Sequence, residues 1–195
     1  YGPGASTVTG GSFEQNQSNA SGGGLYTNNT LTLTGTHFIS NTAAGTTSTS
    51  GGGGAYSTQA SVIFDAAFVG NWSAAFGAGL YTGGTLTVTS TEFISNTSAG
   101  NFSTSGGNGG GGGGAYAVGA AVVSDSLFER NASDYEGGGL HTKSTLTVAG
   151  TNFISNTAPT NYGRGAGAYS KLAAQVWGGV FAGNRSNRDG GGIEA

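Results

Sequence analysis

Nine carboxylates and two histidines make up the acid–base inventory of this 195-residue chain. Cleaving a polysaccharide would need two carboxylates, or carboxylates and a metal, brought within several ångströms of one another. Asp65 and Asp125 fall at equivalent phases but two repeat units apart, about 10 Å if the units are stacked strands. Glu14 and Glu129 match in phase four units apart, and no third acid joins either pair. Asp134, Glu136 and Arg130 lie near one loop, as do Arg185, Arg188 and Asp189, and both groups read as solvated charges. His37 and His141 sit at different phases, so neither a histidine metal site nor a catalytic triad is expected. With no Cys there is no thiolate site and no disulfide framework. The expectation is therefore no catalytic residue, no metal ligand and no cofactor.

Six Lys and Arg against nine Asp and Glu leave no basic face for phosphates, which sets nucleic acid aside. No apolar run approaches the roughly 20 residues of a membrane span, so no membrane insertion by this segment is expected. The opening Tyr1-Gly2-Pro3-Gly4 is no signal peptide, and the absence of Met suggests a mature or excised segment. Glycine fills 41 positions, against an ordinary helical domain, while two prolines and no period of three exclude collagen. Only 8% of residues are charged, so the low apolar content is not that of a self-repelling disordered chain. It calls for a fold that needs few apolar residues per layer.

Internal repeats supply that fold. The motif F-x-x-N occurs seven times, at Phe13/Asn16, Phe38/Asn41, Phe68/Asn71, Phe93/Asn96, Phe128/Asn131, Phe153/Asn156 and Phe181/Asn184, with Phe spacings of 25, 30, 25, 35, 25 and 28. Glycine-rich runs interleave with it and end at Leu25, Ala55, Leu80, Ala115, Leu140, Ala168 and Ile193. From each of the first six to the next Phe is 13 residues, a rigid count. All length variation falls between the Asn and the next Leu or Ala. Alternation in Thr30 to Thr34 and Thr85 to Thr89 puts apolar and hydroxyl side chains on opposite faces of a strand. A constant strand-bearing part with an insertable loop is one turn of a parallel β-solenoid, here about seven coils of 25–35 residues spanning 1–195.

In such a solenoid the seven Phe side chains form an internal stack. The seven Asn side chains form a hydrogen-bonded ladder at a corner that needs left-handed backbone or a side chain bonding the backbone. Coils two, four and six share F-I-S-N-T and own the long loops, at 42–54, 97–114 and 157–167, which are expected to stack as one ridge.

The alternation of Gly-Gly-small-aliphatic runs with F-x-x-N resembles the repeats of the chlamydial polymorphic outer membrane proteins and, more loosely, autotransporter passengers. The resemblance covers nearly the whole chain. It implies a right-handed β-helix exposed on a cell surface, commonly adhesive or structural.

Further rows follow from the register. Tyr26, Tyr56, Tyr81, Tyr116 and Tyr169, with Tyr1 and His141 in the same phase, recur directly after an inward residue and are expected to point outward. Such a row could bind glycans or a neighbouring rod, or simply stiffen the sheet. Outward Thr pairs are expected at Thr32/Thr34, Thr87/Thr89 and Thr145/Thr147, broken in other coils by Val62/Phe64, Val122/Ser124 and Gln175/Trp177. That break argues against an ice-binding array, and Phe64 and Trp177 suggest packing against a loop or another subunit. Eight N-x-[ST] sequons occur, at Asn16, Asn19, Asn28, Asn71, Asn96, Asn101, Asn131 and Asn184. Asn28 and Asn101 lie outside the repeat corner and are the better glycosylation candidates. The Ser/Thr tracts at 46–50 and 103–105 could carry O-linked sugars. The expected role is a non-enzymatic structural solenoid of an extracellular filament, sheath or surface appendage, with itself as partner. A glycan-binding adhesin is the alternative and a polysaccharide lyase or hydrolase the second one.

Overall fold

Alternating side chains, as in Leu31-Thr32-Leu33-Thr34, cannot bury one face of a lone strand, so each strand takes its partners from the turns before and after it. The computed structural model describes residues 4–100 and 110–195. Within them there is no helix, and every turn lays down four short strands that join four parallel sheets of seven strands each. Six full turns thus separate the first strand of each sheet from its last. The first sheet runs from Ser6–Thr9 to Ala174–Trp177 and the second from Ser12–Glu14 to Phe181–Ala182. The third runs from Gln17–Ser18 to Arg185–Ser186 and the fourth from Leu25–Thr27 to Ile193–Glu194. The fold is a parallel β-solenoid.

Three corners per turn take left-handed backbone. After the first sheet it falls on Gly10, Gly35, Asp65, Ser90, Asp125, Gly150 and Gly178, with φ between 47° and 71°. After the second it falls on the residue immediately before each Asn, namely Gln15, Ser40, Gly70, Ser95, Arg130, Ser155 and Gly183. Before the fourth it falls on a glycine in every turn, such as Gly52 at 65°. An L-residue there costs about 1–2 kcal/mol, which seven hydroxyl, carboxylate or amide side chains and Arg130 nevertheless meet. A second glycine, such as Gly79, answers a different demand. A Cβ on Gly79 would stand 2.4 Å from the Gly114 carbonyl and 3.1 Å from the Phe93 ring. The chain therefore lies flat against the Phe column.

The core is built of columns. Phe38, Phe68, Phe93, Phe128 and Phe153 are fully buried, with Phe13 and Phe181 half-buried on the end turns. Inward residues of the first sheet run Ser6, Leu31, Ser61, Leu86, Ala121, Leu146, Ala174. Those of the fourth run Leu25, Ala55, Leu80, Ala115, Leu140, Ala168, Ile193. Where one column is large the other is small in the same turn. This volume exchange keeps the cross-section constant and accounts for the two-coil unit of the sequence. A hydroxyl bond from Thr82 to Ser61 fills one of the small places.

The long loops lie on one side but do not stack directly on one another, as a ridge would require. Loops of even turns are two turns apart, so short odd-turn segments intervene. Gly45 donates to Ala20 (2.9 Å) and Gly52 to Phe76 (3.0 Å) around the 42–54 loop, and Gly137 donates to Arg164 (3.0 Å) beside the 157–167 loop. Half of the 97–114 loop, residues 101–109, lies outside the described residues.

Candidate functional site

The Asn side chains point inward at the corner between the second and third sheets. Each intermediate Asn does four things. Its backbone N–H and Nδ2 both donate to the Oδ1 of the next Asn, as Asn41 does to Asn71 at 3.0 Å each. Its second Nδ2 hydrogen goes back to the preceding Phe carbonyl, as from Asn71 to Phe38 at 2.9 Å. Its own Oδ1 accepts the pair from the turn before. The ladder runs unbroken from Asn16 through Asn41, Asn71, Asn96, Asn131 and Asn156 to Asn184. The Phe rings run beside it with centroids 4.6–4.9 Å apart and planes within 11°.

The structure divides the two roles that the sequence offered to the Asn alone. At the sixth corner the left-handed residue is Ser155, with φ at 54°, and not Asn156. Asn156 supplies only the bonding: its backbone N–H and Nδ2 each reach Asn184 Oδ1 at 3.0 Å, and Nδ2 also reaches the Phe128 carbonyl at 2.8 Å. An Asn that took the left-handed turn itself would aim its side chain away from the next rung, so the turn falls one residue earlier in every coil.

Burial sorts the sequons. Asn71, Asn96 and Asn131 are sealed, with every side-chain hydrogen used in the ladder. Asn41 and Asn156, which belong to no sequon, are fully buried in the same way. Asn16 and Asn184 serve the same ladder at its ends. Asn28 is exposed and accepts a bond from the Tyr26 hydroxyl at 2.7 Å, and Asn19 is exposed as well. Asn101 and the tract 103–105 lie outside the described residues.

The Tyr row is corrected by the structure. Its rings leave the core face as expected, yet Tyr56, Tyr81 and Tyr116 are buried at 6%, 6% and 1% exposure. The connection through Ala75 and Phe76 folds over them and forms a second apolar cluster, with Phe76 against Tyr116 at 4.7 Å. Burial raises the pKa of the Tyr56, Tyr81 and Tyr116 phenols above the ordinary tyrosine value. Of the five, Tyr26, 44% exposed, and the half-buried Tyr169 reach solvent. Tyr1 lies outside the described residues. His141 continues the column between Tyr116 and Tyr169, at 4.8 and 5.0 Å. Its Nδ1 has no hydrogen-bond partner among the described residues and stands 3.9 Å from Glu136 Oε2. Burial, reinforced by Lys143, pushes its pKa down to about 3, and burial raises that of Glu136.

Two expected charge groups separate differently. Arg130 pairs with Glu129 at 3.3 Å, away from Glu136, which turns to His141. Arg164, which the sequence reading passed over, bridges Asp189 (3.7 Å) and Glu194 (3.5 Å), and Arg188 adds a 3.2 Å contact to Asp189. Asp65 and Asp125 are held apart by the turn of Ser90. Among the described residues no group of three or more His, Cys, Asp and Glu is placed to hold a metal.

The ends of the rod are chemically unequal. At the first turn Asn16 Oδ1 accepts nothing from the described residues, and Val8, Phe13 and Leu25 are only partly covered. At the last turn Asn184 spends one Nδ2 hydrogen on Phe153, its remaining N–H groups face past the end, and Ala174, Phe181 and Ile193 are partly covered. The outer face of the first sheet pairs Thr147 and Ala149 with Val122 and Ser124, so the expected pair Thr145/Thr147 is Thr147/Ala149 in true register. Compared with known protein families, with curated proteins and with solved structures, the chain gives no match.

Proposed function

We propose that the chain is a non-enzymatic structural rod that stacks end to end on further copies in an extracellular filament, sheath or surface appendage. The observation that carries this reading is the open ladder. The free donors of Asn184 and the free acceptor of Asn16 are the two halves of the bond made at every internal step, so a second copy on the last turn continues the ladder without a change of geometry. The exposed edges of four parallel sheets and the half-covered Phe13 and Phe181 ask for the same cover.

Further turns of one longer chain would satisfy the same groups, so the test must read contact between molecules. Cryo-electron microscopy of the native material should show fibres with a continuous axial step of about 4.8 Å. Asn184→Asp, which deletes the Nδ2 donor, should shorten them. Dispersed rods in the native material would overturn the reading.

One observation favours a second reading, glycan adhesion. A neutral cleft of about 580 Å³ beside exposed Tyr26 is lined by Ser18, Ser21, Thr47, Thr49 and Ser50. A glycan array with Tyr26→Ala as control tests it.

A further inference from the structure

The outer face of the first sheet differs from the other three in holding no ionisable side chain. Its two outward columns run Thr7, Thr32, Val62, Thr87, Val122, Thr147, Gln175 and Thr9, Thr34, Phe64, Thr89, Ser124, Ala149, Trp177. The second and third sheets carry Glu14, Glu92, Glu129 and Arg185 outward, and the fourth carries His141 and Glu194. The face is also corrugated. Val62, Phe64, Val122 and Trp177 stand 46–56% exposed on the odd turns, while Thr32, Thr34, Thr89, Thr147 and Ala149 between them are shaded to intermediate exposure. Ridges and hollows therefore alternate along the rod every two turns, about 10 Å.

We propose that this face docks on the same face of a second copy, the rods antiparallel about a two-fold axis that passes between the fourth and fifth turns. In that register three ridges meet hollows, Val62 facing Thr147, Phe64 facing Ala149 and Trp177 facing Thr34, while Val122 faces the exposed Thr87. The acidic rim selects the same register. Asp65 then opposes Gly150 and Asp125 opposes Ser90, whereas an axis through the fourth turn would set ridge on ridge and Asp65 against Asp125 of the partner. Absence of charge lets the face meet itself without desolvating an unpaired ion.

The overlap of six turns by one four-residue strand is about 380 Å² per rod, roughly half the 800 Å² of a standard interface. One pair of rods is consequently held weakly. A filament repeats the contact with every copy, so the strength of pairing rests on the stacking reading, although its geometry does not.

The test is cysteine cross-linking, clean because the native chain has no Cys. Val62 and Thr147 lie three turns apart in one rod, about 14 Å, too far for an internal disulfide. The double variant Val62→Cys/Thr147→Cys should give disulfide-linked dimers on mild oxidation of concentrated rods, at least tenfold above either single variant. Adding Phe64→Lys should abolish them while the melting curve stays two-state. A double variant that cross-links no better than Thr42→Cys/Thr97→Cys on the third sheet would overturn the pairing, whether or not fibres form. Val62→Cys alone cross-linking as well as the double variant would overturn the register. Unpaired rods beside intact fibres would sink this proposal alone; paired rods without fibres would sink only the stacking reading.

Discussion

Asn71 donates twice to one oxygen of Asn96, from its backbone N–H at 3.0 Å and from Nδ2 at 2.9 Å, and both side chains are buried. The two bonds hold backbone and side chain of one turn to the side chain of the next. A turn can therefore neither slip in register nor drop its corner without breaking both. The interior of the rod is thus specified by a polar column as much as by the aromatic one beside it.

Replacing Asn96 by Ala removes the acceptor for both Asn71 donors and the donor to the Phe68 carbonyl. Each buried group left unpaired costs about 1–3 kcal/mol. The expected loss is about 3 kcal/mol or more, read as a lower urea midpoint. Asn96→Asp should cost less at pH 4 than at pH 7, because a protonated carboxyl restores one donor. Equal midpoints for Asn96→Ala and the parent chain would contradict the ladder as a stabilising element.

Phe93 is fully buried between Phe68 and Phe128, at 4.7 and 4.6 Å. Phe93→Ala should cost about 3–5 kcal/mol, the range for a large buried ring whose cavity cannot collapse. Phe181→Ala, on the half-covered last turn, should cost clearly less in dispersed rods. Thermal melts of the two variants compare them directly.

Backbone conformation gives a pair of opposite outcomes. Ser95 holds φ at 55°, so Ser95→Gly should stabilise by about 1 kcal/mol. Gly79→Ala should do the reverse, since its Cβ would enter the space of the Gly114 carbonyl, 2.4 Å away. Denaturant midpoints that move in the same direction for both would refute this account of the corners.

Much of this was legible in the chain. The constant 13-residue spacing to each Phe, with all insertions elsewhere, is what four strands and fixed corners require, and the F-x-x-N copies mark the two columns directly. The left-handed residue was less legible. It is the position before each Asn, where Gln, Ser, Gly and Arg share no side-chain chemistry, only a dihedral angle. The burial of Tyr56, Tyr81 and Tyr116 was hidden for another reason. Phe76 covers them from a segment whose path depends on the neighbouring loop, as in the Phe76 donation to Ser50 at 3.3 Å. The exchange of Leu and Ala between the first and fourth sheets stood in the sequence, but only the register shows that the two columns compensate.

The last expectation concerns acid. His141 is buried and faces Glu136, Lys143, Lys171, Tyr116 and Tyr169. Its pKa, lowered to about 3 by burial and then by Lys143, means that the unfolded chain binds a proton near pH 6.5 that the folded rod refuses. Stability from this group is full above pH 6.5 and falls as pH drops toward 3. Burial raises the carboxyls of Asp134, Glu136 and Glu194, which works in the opposite sense, because the folded form takes up protons before the unfolded one does. Their offset sets in above the ordinary carboxylate range and is shared by any variant that keeps these acids, so comparison with a variant lacking the imidazole isolates the histidine. His141→Phe keeps the aromatic column and removes the titration. Between pH 7.5 and 5 the urea midpoint should drop further for the parent chain than for the variant; parallel slopes would show that His141 is not the group being protonated.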